Sequence, residues 1–125
     1  MIRLALVALV LTCAGCASTR NVARDLTVMN DPQEFSLHIG AVENFSDRLR
    51  YQWGNGTTKA TVRQASRITD GLARLEVRDG TGIIVHSKSL AEQGSFLTAE
   101  GKPGVWRISV IMQGATGSVT FAVKP

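Results

Sequence analysis

The sequence predicts a small all-β protein, an antiparallel β-sandwich of immunoglobulin-like or jelly-roll type with about seven strands. Three observations carry that expectation. Apolar and polar residues alternate with a period of two in several separate stretches, turn-forming residues recur between them, and no long stretch has a helical period.

The stretches come in order. Phe35, Leu37 and Ile39 alternate with Ser36 and His38 and open the domain as a strand. Residues 40–47, with Gly40, Asn44 and Ser46-Asp47, read as strand end and turn. Leu49, Tyr51 and Trp53 face inward on the next strand, with Arg48, Arg50 and Gln52 outward; Gly54-Asn55-Gly56 breaks it. Residues 57–63 are rich in Thr and Val and read as a strand, although residues 59–66 also suit a helical turn. Residues 72–88 read as a β-hairpin reversing at Asp79-Gly80-Thr81-Gly82, with Ala73, Leu75 and Val77 inward and Arg74, Glu76 and Arg78 outward. Residues 90–103 are irregular, and Phe96 and Leu97 are expected to fold over one end of the core. The last two strands put Trp106, Ile108, Val110 and Met112, then Val119, Phe121 and Val123, on the inner face, joined by a loop at residues 114–117.

The first eighteen residues differ in kind. Arg3 supplies a positive start, Leu4 to Leu11 an apolar run of about eight residues, and small residues lead to Cys16. This is the anatomy of a secretory signal, and the run is far short of the roughly twenty residues that span a membrane. The ending Ala14-Gly15-Cys16 resembles the lipobox of bacterial lipoproteins. The resemblance implies diacylglyceryl transfer to the Cys16 sulfur, cleavage before Cys16, acylation of the new amine, and anchoring in the cell envelope by two or three acyl chains. Cys13 is the alternative: Val10 stands three residues before it, but Thr12 occupies the place where a small residue belongs. Ala17 rather than Asp follows Cys16, which in such families of two-membrane bacteria accords with the outer membrane, facing the periplasm.

The expected organisation is therefore a signal peptide over residues 1–15, a lipidated N-terminus and tether over 16–34, and a sandwich over 35–125. As flexible coil the tether spans roughly 25 Å. Val22, Leu26 and Met29 fall at helical spacing, so a short helix or a partly docked segment is the other reading, ended by Asn30-Asp31-Pro32.

Composition limits the chemistry. The chain has 125 residues and a formal charge of +4, spread along it without the basic clusters and interleaved aromatics of nucleic-acid binders. Both cysteines lie at the leader junction, so the body offers neither a thiol nucleophile nor a thiolate metal site. His38 and His86 stand at polar positions of predicted strands with no third ligand at a metal-binding spacing. Asp79 begins a β-turn, where its carboxylate accepts backbone amides; an EF-hand calcium loop needs more donors than this one has. Asp79, His86 and Ser87 share a hairpin, but adjacent strand residues point to opposite faces and no Gly-x-Ser-x-Gly elbow is present. Asp70, Glu76 and Glu92 have no spacing that selects a carboxylate pair. The sequence thus leads to a protein without enzymatic activity, metal or cofactor.

The turn Asp79-Gly80-Thr81-Gly82 and the run Pro103-Gly104-Val105-Trp106-Arg107-Ile108-Ser109-Val110 are similar to small accessory sandwiches appended to secreted proteases, the P domains and prepeptidase C-terminal domains. The similarity implies the same fold class and a role in binding or stabilisation. The surface feature that suits such a role is a set of arginines, Arg48, Arg50, Arg63, Arg67, Arg74 and Arg78. Strand alternation turns Arg48, Arg50, Arg74 and Arg78 outward, toward anionic envelope components or an envelope protein, and they converge only if their strands share a sheet. The competing expectation is a periplasmic carrier that holds a small apolar ligand between its sheets, with a mouth lined by Phe96, Leu97 and Met112.

Overall fold

The computed structural model describes residues 22–125; the leader, with Cys13 and Cys16, lies outside the described residues. Seven strands follow in order: β1 (Val22–Asp31), β2 (Glu34–Asn55), β3 (Thr61–Gln64), β4 (Arg67–Arg78), β5 (Ile84–Ser89), β6 (Gly94–Leu97) and β7 (Gly104–Lys124). Every pairing is antiparallel and no helix occurs among the described residues, so the all-β sandwich expected from the period-two pattern is the fold.

The two layers are the halves of one folded sheet. β7 is its spine, flanked on one side by β2 and on the other by β3 followed by β4. β3 and β4 run along β7 from Thr61↔Lys124 to Arg78↔Arg107, in the same register on either side of an irregularity at Asp70, and act as one strand interrupted at Ala65-Ser66. There the Ser66 hydroxyl replaces a ladder partner, accepting from the Thr120 amide (2.8 Å) and donating to the Thr120 carbonyl (3.0 Å). The first half of β2 and the second half of β7, with β1, β3 and β6, make one layer. The second half of β2 and the first half of β7, with β4 and β5, make the other.

The long strands cross between layers where the sequence reads as turns. Residues 40–47 and 114–117 do not reverse the chain; they bend strands that continue for 22 and 21 residues. The β2–β7 register shifts three times between Ile39 and Asp47, and Asn44, Gly114 and Gly117 take positive φ (45°, 57° and 138°). Such bulges add twist and let a sheet fold over itself. Polar side chains fasten the bend, with the Thr116 hydroxyl accepting from the Asn44 amide and the Ser46 hydroxyl from the Gly114 amide.

β1 revises the expected tether. Residues 22–31 pair with β2 from Val22↔Glu43 to Asp31↔Glu34, so the sheet begins ahead of Phe35. Leu26 (52%) and Met29 (48%) stay largely exposed, which shows that the ladder rather than side-chain burial holds β1. Asp31 shapes the turn into β2, its Oδ1 accepting from the amides of Gln33 and Glu34. The same end of β1 is latched to the other layer: the Asp31 carbonyl accepts from Trp53 Nε1 (2.8 Å), and Asn30 Nδ2 donates to the Gln52 carbonyl (2.7 Å).

The core lies where alternation predicts. Phe35, Leu37, Ile39, Val119, Phe121 and Val123 of one layer meet Trp53, Leu75, Val77, Trp106, Ile108, Val110 and Met112 of the other, all buried. Leu49 and Tyr51 are half-buried, since the second half of β2 is a sheet edge. Phe35 bridges the layers, with its ring 5.2 Å from Tyr51 and 6.0 Å from Phe121. Phe96 is half-buried on the short β6, but Leu97 is 65% exposed and does not cover the core.

Candidate anion-binding face

The strands carrying the candidate arginines do share a layer, one on each side of β7. Cross-strand register builds three rows on its outer face: Arg48, Ile111 and Arg74; Arg50, Ser109 and Glu76; Gln52, Arg107 and Arg78. Arg48, Arg50 and Arg74 are exposed as expected, and Arg78 is half-buried. Arg107 joins them in the middle strand. Its outward position follows from the alternation that sends Trp106 and Ile108 inward, so the signal for it is in the sequence. Arg63 is on the outer face of the other layer, opposite Ala122, and Arg67 sits at the bend opposite Ser118.

The five guanidiniums of the face are not equivalent. Arg78 is held, with Nη2 and Nε each 3.2 Å from Glu76 Oε1 and Nη1 donating to the Gly82 carbonyl (2.8 Å). That contact is the one ion pair among the described residues. Arg74 Nε donates to the Ser87 hydroxyl (3.1 Å). Arg48, Arg50 and Arg107 have no side-chain ion pair or hydrogen bond among the described residues. Uncompensated positive charge therefore concentrates on the β2 side. Arg50 and Arg107 open onto a hollow of about 310 Å³, lined also by Tyr51, Gln52 and Ser109. A second hollow of about 200 Å³ lies on the other side of Ile111, between Leu72, Arg74, Ser89 and Gln113.

The Asp79 turn is structural, as its sequence indicates. Oδ1 accepts from the Thr81 hydroxyl (2.7 Å) and from the amides of Thr81 and Ile83, while Oδ2 accepts from the Lys102 amide (2.9 Å). The Thr81 hydroxyl, with the Lys102 amide next, holds the carboxyl well below the usual carboxylate range despite its burial. Asp79 thus joins the β4–β5 turn to the segment leading into β7. It faces neither His86 nor Ser87 as a catalytic partner.

The histidines separate. His38 is exposed on the outer face of the β1-containing layer, where Nδ1 lies 2.8 Å from the Thr120 hydroxyl. His86 is buried, contrary to its polar-phase position. The cause is a β-bulge: Val77 pairs with His86 but Arg78 with Ile84, leaving Val85 as an extra residue. Val85 and His86 are consequently both buried, while Ser87 returns to the outer face to meet Arg74. His86 Nε2 lies 2.9 Å from Gln64 Oε1, and Gln64 Nε2 donates to the carbonyls of Ser89 and Glu92, tying β3 to β5 and the following turn. No group of three His, Cys, Asp or Glu side chains suited to a metal occurs among the described residues. Glu76 is committed to Arg78, Asp70 lies at the bend at the other end of the same strand β4, and Glu92 lies in the β5–β6 turn, so no pair among them is set up as an acid and base.

Burial, with Lys88 next and Glu92 opposing, pushes the His86 pKa down to about 4. An unfolded chain takes up that proton near pH 6.5. Stability contributed by neutral His86 is therefore complete above about pH 6.5 and is lost as pH falls through 4, up to about 3 kcal/mol. Urea unfolding between pH 7 and 4.5 is expected to show this fall, and His86→Gln to flatten it. A His86 imidazole titrating near 6.5 by NMR refutes the assignment.

The fold and site define a small antiparallel sandwich with a cationic outer face. No family model matches the chain, and no curated protein matches it. Among solved structures it is similar to procruciferin, the 11S globulin of Brassica napus, at 17% identity and a TM-score of 0.39 over 79% of this chain and 25% of that one. The coconut allergen cocosin has 16% identity and a TM-score of 0.39 over 74% of this chain and 22% of its own. Accessory secretory protein 1, 2 and 3 of Streptococcus pneumoniae has 14% identity and a TM-score of 0.39 over 79% and 84%. The chain thus spans about a quarter of the globulin chains' length.

Proposed function

We propose that this chain is a bacterial lipoprotein, anchored in the cell envelope through Cys16, whose sandwich serves as a non-catalytic binding module for anionic envelope components. The observation that carries the reading is the arginine face on three adjacent strands, supported by where Val22 joins the sheet. Val22 pairs with Glu43 beside the bend, at the end of the sandwich nearest the Arg48–Arg74 row. Six residue steps separate Cys16 from Val22, so the edge of an anchored domain at Val22 stays within about 21 Å of the lipidated cysteine. At that distance weak charge attraction acts at high effective concentration. Diacylglyceryl transfer to Cys16, with Ala17 following it, accords with the outer membrane, facing the periplasm.

The packing gives the carrier alternative less support. Its proposed mouth does not assemble: Met112 is buried (2% exposed) beside Ala73, whereas Leu97 points outward from β6 and Phe96 sits against His86 and Lys88.

Replacing Cys16 with Ser is expected to yield a protein without acyl mass that no longer floats with membranes. If Cys16→Ser still carries acyl mass, Cys13 or another anchor is responsible. The face has its own test. The full chain should bind anionic vesicles with an affinity that falls as salt shortens the Debye length from about 10 Å toward 3 Å. The pair Arg48→Gln and Arg74→Gln should weaken that binding without moving the melting temperature. Binding indifferent to salt and to both substitutions refutes the role of the face.

A further inference from the structure

Within that face, we infer that the hollow between Arg50 and Arg107 is a discrete site for a phosphate monoester group. The inference rests on the anionic-partner reading and narrows it from a charged surface to a recognition site with a defined ligand chemistry.

Position comes first. Arg50 is opposite Ser109, and Arg107 is opposite Gln52, so the two arginines are diagonal neighbours across the β2–β7 ladder. Diagonal neighbours stand about 7–8 Å apart at the backbone, which lets two long side chains reach a shared point above the sheet. Their row partners complete the lining with a hydroxyl from Ser109 and an amide from Gln52. Tyr51, between Arg50 and Gln52 on β2, joins the lining, while its ring turns inward against Phe35 and anchors this part of the edge strand to the core.

Charge selects the ligand. Glu76 is the acidic side chain in the same three rows, and it is already paired with Arg78, leaving Arg50 and Arg107 uncompensated. Each guanidinium presents a planar fork that holds two oxygens. A carboxylate, with one charge and two oxygens, satisfies one fork and leaves the other. A phosphate monoester carries about −1.5 to −2 charges at pH 7 and three terminal oxygens, which balances two guanidiniums in charge and supplies acceptors to both forks when they share one oxygen. A phosphodiester carries one charge on two free oxygens and matches half of the site. The anchor makes a lipid headgroup one source of such a group; a soluble phosphate ester is the other.

The experiment uses the full chain in a nonionic detergent, with Arg Nε–Hε resonances followed by NMR during titration with inorganic phosphate and, separately, acetate. Phosphate is expected to shift Arg50 and Arg107 selectively, and acetate to bind at least about tenfold more weakly. Arg107→Gln should lower phosphate affinity about tenfold or more, the scale of a lost charged hydrogen bond. Arg107→Lys, which keeps the charge but not the fork, should fall nearly as far. Arg63→Gln, on the outer face of the other layer, should change it less than twofold.

Vesicles then separate the sources. Phosphatidic acid preferred over phosphatidylglycerol at matched surface charge, with the preference lost in Arg107→Gln, identifies a lipid monoester. Selective phosphate binding without that preference identifies a soluble ester. Shifts spread evenly over all arginines, or equal affinity for acetate and phosphate, overturn the site while leaving the broader charged face standing. Loss of vesicle binding in the Arg48 and Arg74 variants with selective phosphate binding intact separates the face from the site in the other direction.

Discussion

Trp106→Ala is expected to cost about 3–5 kcal/mol, a large share of the stability of a domain this size. Trp106 is fully buried and stands directly across the ladder from Trp53, with the two rings edge-to-face at 6.2 Å and 87°. Edge-to-face pairs contribute about 0.5–1.5 kcal/mol beyond their burial, and truncation to Ala removes that term and leaves a cavity that close-packed neighbours cannot fill. The indole also ties the spine to the segment before it, donating from Nε1 to the Lys102 carbonyl at 2.8 Å. Trp106→Phe separates these contributions: it keeps most of the packing, loses the donor, and should cost about 1–2 kcal/mol. Urea unfolding followed by circular dichroism measures both. An unfolding midpoint for Trp106→Ala close to that of the parent chain contradicts the central place given to this ring.

What the sequence made legible follows from the physics of strands. Side chains alternate across a sheet whatever its topology, so the inward positions from Phe35 to Ile39, Ala73 to Val77 and Trp106 to Met112 are readable without knowing which strand pairs with which. Pairing is long-range and carries no local signature. The outward arginines were therefore visible, whereas their convergence around Arg107 depended on β7 lying between β2 and β4. The same limit applies at the bends. Gly40, Asn44, Gly114 and Gly117 mark positions suited to unusual backbone angles, and those residue types look alike whether the chain reverses or merely folds the sheet. His86 shows a third limit: one extra residue in a bulge exchanges the two faces, and nothing local to Val85 announces it. β1 is the converse case. Its side chains are exposed, so its place in the sheet rests on backbone hydrogen bonds that a hydrophobic pattern does not record.

The bend itself yields the second large prediction. Gly117 lies between Val42 of β2 and Ile68 of β4, at the point where β7 passes from one layer to the other. Its φ of 138° belongs to a region essentially restricted to glycine, and a Cβ added there collides with the carbonyl group of Arg67. Backbone strain alone costs about 1–3 kcal/mol. The collision adds to it, because β4 cannot move away without breaking the ladder through which both layers share β7. Gly117→Ala is therefore expected to destabilise by about 3 kcal/mol or more. Two other glycines calibrate that figure. Gly82 has positive φ (92°) with no atom near an added Cβ, so Gly82→Ala should show strain alone, about 1 kcal/mol. Gly54 also has open space around an added Cβ and no positive φ, so Gly54→Ala should stay within about 0.5 kcal/mol of the parent. Urea midpoints for the three variants should fall in that order. If Gly117→Ala unfolds no earlier than Gly82→Ala, the close approach of β4 to β7 at the bend is not what holds the two layers in one folded sheet.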